Sequence, residues 1–193
     1  MSDKRAIIAL VVVVAFAGIF GASQAGMFAL TDENLTTAKT MRFLGHVTAV
    51  VYDSNGNIKS YFQTDNKVVN SGRNCAADLV FDTGIDTDCD FVDRMAIGTS
   101  PASVFSTDTK LGAKTSNGNE GPLTPTSTTP GDKGKDALLT YTNTFEIDEV
   151  GPITIEETGL FDSANNMFAR SPLGPIPVTT GDKITVAWNI IID

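Results

Sequence analysis

Residues 153–161 read ITIEETGLF, and the chain runs on through DSANNMFAR to GDKITVAWNIIID at 181–193. Apolar residues alternate with polar ones, and the alternation breaks at Glu157-Thr158-Gly159 before closing on Leu160-Phe161. A period of two is the mark of a strand with one face buried, because successive side chains point to opposite sides. The same period holds on both sides of the stretch. In LLTYTNTFEID (138–148), Leu139, Tyr141, Phe145 and Ile147 share one face, and Thr140, Thr142, Thr144 and Glu146 the other. In ITVAWNIII (184–192), Ile184, Val186, Trp188, Ile190 and Ile192 share a face. Gly159 inside the strand pattern predicts a bulge or a close backbone approach. The bulged strand is expected to pack Ile153, Ile155 and Leu160 or Phe161 against the face that Trp188 lines.

Upstream, GHVTAVVYD (45–53) and IKSYFQ (58–63) flank SNGN. Asn55-Gly56 between two apolar runs predicts a hairpin with a type I′ turn, which needs positive φ at both central residues. SGRNCAADLVFDTG (71–84) reads as a short helix with Ser71 as cap, Ala76, Leu79 and Val80 on its apolar face, and Gly84 as its stop. RMAIGTS (94–100) is a further short strand. Residues 99–136 are poor in apolar side chains, and GPLTPTSTTPGDKGKD (121–136) reads as a loop too polar to join a core. Seven to nine short strands separated by turns predict an all-β fold: a single antiparallel β-sandwich of the immunoglobulin or jelly-roll kind.

The N-terminus has a different composition. After MSDKR, no charge occurs from Ala6 to Leu30, a length that as a helix crosses a hydrocarbon core of about 30 Å. The preceding positive charges place the N-terminus in the cytoplasm and the rest outside. The expected organisation is a hydrophobic α-helical segment at 1–30 (signal, anchor or retained helix), a linker at 31–42 and the β-domain at 43–193. The segment implies at least transient contact with a membrane through residues 6–30. Its apolar residues, among them Ile7, Val11, Phe16, Phe20 and Phe28, are the expected assembly contacts. Asn34 in NLT is the candidate glycosylation site.

The 193 residues carry 14 Lys+Arg against 23 Asp+Glu, a net charge of −9, so the surface repels phosphate backbones and nucleic acid is not an expected partner. One histidine and two cysteines cannot build a four-ligand Cys/His zinc site in one chain. In an exported protein Cys75 and Cys89 are expected to form a disulfide, which stabilises by about 3 kcal/mol in the chain-entropy model; two buried thiols are the other reading. Asp86, Asp88 and Asp90 alternate as DxDxD. Oxygen ligands so clustered can hold calcium, although the EF-hand spacing fails and a solvated acidic loop is the competing reading. No other cofactor is implied. His46, in a strand, reads as a half-buried strand residue. Glu156 and Glu157 invite a paired-carboxylate reading, but adjacent strand residues face opposite ways and cannot flank one bond unless a bulge turns one round.

Three resemblances bear on function. NKVVNSGRN (66–74), MAIGTS (95–100), STDTKL (106–111), ITIEETGLFDSANNMFAR (153–170) and GDKITVAWNI (181–190) together resemble the β-sandwich modules of tailed-phage fibre and collar proteins. DKRA followed by IIALVVVV resembles the processing site of archaeal type IV pilins, which implies a cut after Ala6 and a retained helix in a filament core. GMFALTDENL (26–35) resembles the mature start of camelysin-like biofilm-fibre proteins, which implies a strand inserted into a neighbouring subunit. These phrases carry no catalytic residue, and the chain is not expected to be an enzyme. The expectation is an exported structural subunit, at the cell surface, outside the cell or on a virion, that assembles with copies of itself into a filament or pilus. The alternatives are a virion spike or tail protein, and a membrane-anchored adhesin or glycan- or calcium-binding module.

Overall fold

The computed structural model describes residues 43–82, 84, 88–116, 127–129 and 137–192. The N-terminal segment, with Ile7, Val11, Phe16, Phe20, Phe28 and Asn34, lies outside them. Among the described residues no helix is long and apolar enough to cross a membrane.

The described chain is mostly β, in two antiparallel sheets. The strands are β1 (Phe43–Tyr52), β2 (Ile58–Asp65), β3 (Lys67–Val68), β4 (Val92–Gly98), β5 (Ser127–Thr129), β6 (Ala137–Glu146), β7 (Ile153–Asp162), β8 (Met167–Val178) and β9 (Lys183–Ile192), with one helix, α1 (Asn70–Phe81). The first sheet has the order β2-β1-β9-β6-β5 and the second β3-β8-β7-β4. Only Asn66 separates β2 from β3, so one extended stretch passes from the first sheet to the second, and Asn66 N–H donates to the Gly45 carbonyl at 3.1 Å across that corner.

The alternating faces read from the sequence meet in one core. Val47, Ala49 and Val51 of β1, Tyr141 and Phe145 of β6, and Ile184, Val186, Trp188 and Ile190 of β9 join Met95, Ile97, Ile155, Leu160, Ala169, Leu173 and Ile176 of the second sheet. Trp188 is fully buried, and its indole N–H donates to Thr158 Oγ1 at 3.4 Å, while that hydroxyl donates to the Ala96 carbonyl at 2.9 Å. The core thus takes in a polar group without leaving its donor unpaired, which would cost about 1–3 kcal/mol.

Four details differ from the sequence reading, each for a local reason. The β1–β2 connection is not a type I′ turn: Gly56 has φ +85°, but Asn55 is not among the residues at positive φ. Gly56 N–H donates to the Asp53 carbonyl at 2.9 Å, and the Asp53 carboxylate accepts the N–H groups of Asn55 and Asn57. This is the pattern of a type I turn closed by a left-handed glycine. Helix α1 has no side-chain cap, because it starts one residue before Ser71 and its N-cap is the apolar Val69; Ser71 Oγ donates instead to the Met167 carbonyl at 2.7 Å, and the helix stops at Asp82 in the left-handed region rather than at Gly84. Its buried residues are Gly72 and Cys75, not Ala76, Leu79 and Val80. A Cβ at position 72 would collide with the Phe168 backbone, so glycine lets the helix lie directly on β8. Within the polar 121–136 loop, Ser127–Thr129 pairs with β6 and extends the first sheet.

The fourth difference concerns ITIEETGLF. The irregularities of β7 against β8 fall at Ile155/Glu157 and Leu160/Phe161, while Gly159 stays in register opposite Arg170 and Ala96. Skipping a residue at Glu156 flips the parity of the strand. Ile155 and Leu160 both join the main core, and Phe161 goes to the opposite face, in a second cluster with Val69, Ala96, Leu111 and Met167. A Cβ on Gly159 would lie 3.0–3.1 Å from the Phe161 ring and Leu111, so the glycine makes room for that second cluster. This is why β7 is buried almost continuously from Ile155 to Asp162: both of its faces are covered.

Candidate functional site

Among the described residues, the outer face of the second sheet carries a deeply buried pair of opposite charges. The offset at Glu156 turns Glu157 to this face, and Arg170 projects from β8 opposite Gly159. Residues 99–115 form a strap over both. The strap folds back along β4, with Thr99 N–H donating to the Ala113 carbonyl at 2.8 Å and Thr115 N–H to the Ile97 carbonyl at 3.0 Å.

Glu157 is fully buried and Arg170 almost so. Arg170 Nε donates to Glu157 Oε2 at 2.9 Å and Nη2 lies 2.7 Å from the same oxygen, while Nη1 donates to Asp108 Oδ2 at 2.6 Å. Strap N–H groups complete the carboxylates: Gly112 donates to Glu157 Oε2 at 3.0 Å, Ala113 to Oε1 at 2.8 Å, and Phe105 to Asp108 Oδ2 at 2.9 Å. Burial alone would lower the Arg170 pKa, but the hydrogen bonds it donates to Asp108 and Glu157 outweigh that and hold the guanidinium charged, above its ordinary range. With both oxygens of Glu157 taken, this carboxylate is a clamp on the strap rather than a base presented to a substrate. Glu156, beside it, is half-buried.

A second clamp holds the far end of the first sheet. Lys59 Nζ donates to Asp182 Oδ2 at 2.5 Å, and Thr179 N–H and Oγ1 donate to the same oxygen at 2.8 and 3.1 Å. Burial pushes the Asp182 pKa up, but the Lys59 and Thr179 hydrogen bonds together hold it below the ordinary aspartate value.

The residues singled out in the sequence gather elsewhere, at the β7–β8 turn. Cys75 and Cys89 are thiols in this structure and lie side by side: Cys89 Sγ donates to the Cys75 carbonyl and Cys75 Sγ to the Asp90 carbonyl, each at 3.6 Å. Asp86 lies outside the described residues. The Asp88 carbonyl accepts Asn166 Nδ2 at 3.0 Å. The Asp90 carboxylate accepts Phe91 N–H at 2.7 Å and the Ser163 hydroxyl at 2.9 Å, in that order the causes that lower its pKa. Asp162, which is buried, accepts N–H from Asp90 at 3.1 Å and from Asn166 at 2.7 Å. The two described aspartates of the DxDxD run thus tie the acidic loop to the turn. Among the described residues no group of three or more His, Cys, Asp or Glu is arranged to hold a metal ion. His46 is part-exposed on β1, its Nδ1 3.4 Å from the exposed Asp65 carboxylate.

Sequence reading missed Arg170 and Asp108 altogether. The available signal was a lone arginine flanked by small residues within an otherwise apolar β8. No known protein family, no curated protein and no solved structure matches the chain.

Proposed function

We propose that this chain is an exported structural subunit that polymerises into an extracellular filament or pilus through its N-terminal segment. The two sheets would then form an immunoglobulin- or jelly-roll-like sandwich displayed outside the cell. One observation carries the reading: an uncharged 25-residue run from Ala6 to Leu30 is joined to a β-domain whose buried charges are spent on holding its own strap and strand ends. An all-round apolar helix must be covered by lipid or by others of its kind. A domain with internally satisfied charges suits repeated display better than turnover of a ligand.

Electron microscopy of the purified full chain tests this, with filaments expected. A protein that stays monomeric with its N-terminal segment intact in a membrane mimetic sinks the idea. Mass spectrometry of the mature N-terminus separates the modes of assembly. A start at Ile7 means a helix-packed filament, a start at Gly26 a secreted or strand-exchanging subunit, and an intact start an anchor.

A further inference from the structure

Of the nine large apolar side chains exposed among the described residues, five (Leu44, Leu79, Val80, Phe81 and Phe91) gather at one end of the β-domain, while Ile58, Tyr61, Phe105 and Val150 stand singly elsewhere. That end is fixed by a chain of contacts. Phe43, the first residue of β1, packs edge-on against Phe168 at a ring separation of 5.9 Å. The Phe168 carbonyl accepts Val69 N–H just ahead of α1, and Phe168, Cys75, Asp90, Asp162 and Asn166 line one small cavity. The beginning of β1, the β7–β8 turn and the middle of α1 therefore lie together. Beyond Cys75 the helix continues into Leu79 (47% exposed), Val80 (59%) and Phe81 (70%), and beside Asp90 stands Phe91 (74%). On the first sheet Leu44 (50%), Ile191 and Leu138 are in register and make an apolar row across β1, β9 and β6 at this same end. The next outward row is polar: His46, Asn189 and Thr140.

This is also the end at which the preceding 42 residues join the domain, because they run directly into Phe43. We infer that this end is a docking platform for the apolar segments, residues 6–30, of neighbouring copies of the chain. The inference rests on the filament reading and names the surface on the β-domain that the reading requires. A segment apolar all round cannot be covered by its own domain's few exposed side chains, so several segments must pack together and the platforms must close over them. A bilayer surface is the poorer occupant. Asp65, Asp82, Asp88 and Asp90 are exposed here against Lys67 and Arg73, with Arg94 half-buried, so the rim has no net positive charge to draw it to anionic headgroups.

The test places a photo-crosslinking residue at position 81 or 91 of the full chain, with position 150 at the opposite end, where Val150 is 99% exposed, as control. Isotope-labelled and unlabelled copies are mixed, assembled and irradiated, and cross-linked peptides are identified by mass spectrometry. Positions 81 and 91 are expected to couple to residues 6–30 of the other copy, and position 150 is not. In parallel, the Phe81→Ser/Phe91→Ser chain is expected to need about tenfold more protein to polymerise, with the thermal unfolding of its β-domain unchanged. Coupling to lipid, to another protein or only within one copy overturns the inference. So do equal yields at position 150, no coupling at all, unchanged polymerisation of the double variant, or a mature chain that begins at Gly26. Polymer without these cross-links overturns the platform alone, whereas a chain that never polymerises overturns the filament reading and the platform with it.

Discussion

The two sheets have the same strand alternation on their inner faces and opposite fates on their outer ones. The outer face of the second sheet is covered by α1 and the 99–115 strap, and it holds Glu157, Arg170, Phe161 and Met167 out of water. Among the described residues no helix or strap lies over the outer face of the first sheet, and on this bare face Gln63 and Thr144 are exposed and Thr48, Thr142 and Thr185 half-buried, with Thr144 and Thr185 hydroxyls 2.8 Å apart. The difference is that the covered face can keep a charge only by pairing it completely, whereas the bare face lets water do that work. Substitutions should therefore cost much more on one face than on the other.

The widest gap is expected at the clamp. Arg170→Met leaves Glu157 buried without its cation and should cost about 3–5 kcal/mol, read by urea unfolding through Trp188, the sole tryptophan. A cost below about 1 kcal/mol would show that the strap opens to water and that the two faces are not so different. Next comes the second cluster. Leu111→Ala should cost about 2–4 kcal/mol and should expose the strap to limited proteolysis ahead of the sheets. The Cys75–Cys89 pair follows: if export oxidises it, reduction should lower stability by about 3 kcal/mol, and non-reducing peptide mapping should find the linkage.

A pH titration sharpens the comparison from the other side. Asp182 has its folded pKa held below the unfolded value, so its stabilising contribution is present above the ordinary aspartate range. That contribution is lost as pH falls through the folded pKa. Asp182→Asn should flatten the acid limb of the stability curve relative to the unsubstituted chain; an identical limb would remove the Lys59 clamp from the account. The smallest effect belongs to the bare face, where Gln63→Lys should change stability by no more than about 0.5 kcal/mol.

The strands of the C-terminal half were legible because burial of one face writes its period into the sequence: Trp188, Val186 and Ile184 had to alternate with Asn189, Ala187 and Thr185. The hairpin around Gly56 was legible for the same reason, though not its turn type, since Asp53 decides that through its carboxylate. The helix over 70–81 was legible as an element, but its buried face was not. Which side of a weakly amphipathic helix turns inward depends on a backbone contact between Gly72 and Phe168, two residues 96 positions apart. The strap was unreadable because its attachment is polar: its own N–H groups and Asp108 reach charges on other strands, and such bonds leave no hydrophobic period.

The sequence by itself determined that this protein would be mostly β, that Trp188 would face a shared core, and that an apolar N-terminus would precede the domain. These follow from periodicity and length, which are properties of neighbours along the chain. Only the tertiary structure decided that ITIEETGLF would be buried on both faces, that Glu157 would end on Arg170, and that Asp108 would reach the same guanidinium. Those outcomes depend on a one-residue slip in strand pairing and on a strap arriving from elsewhere, and pairings across distant segments are set by packing rather than by local pattern.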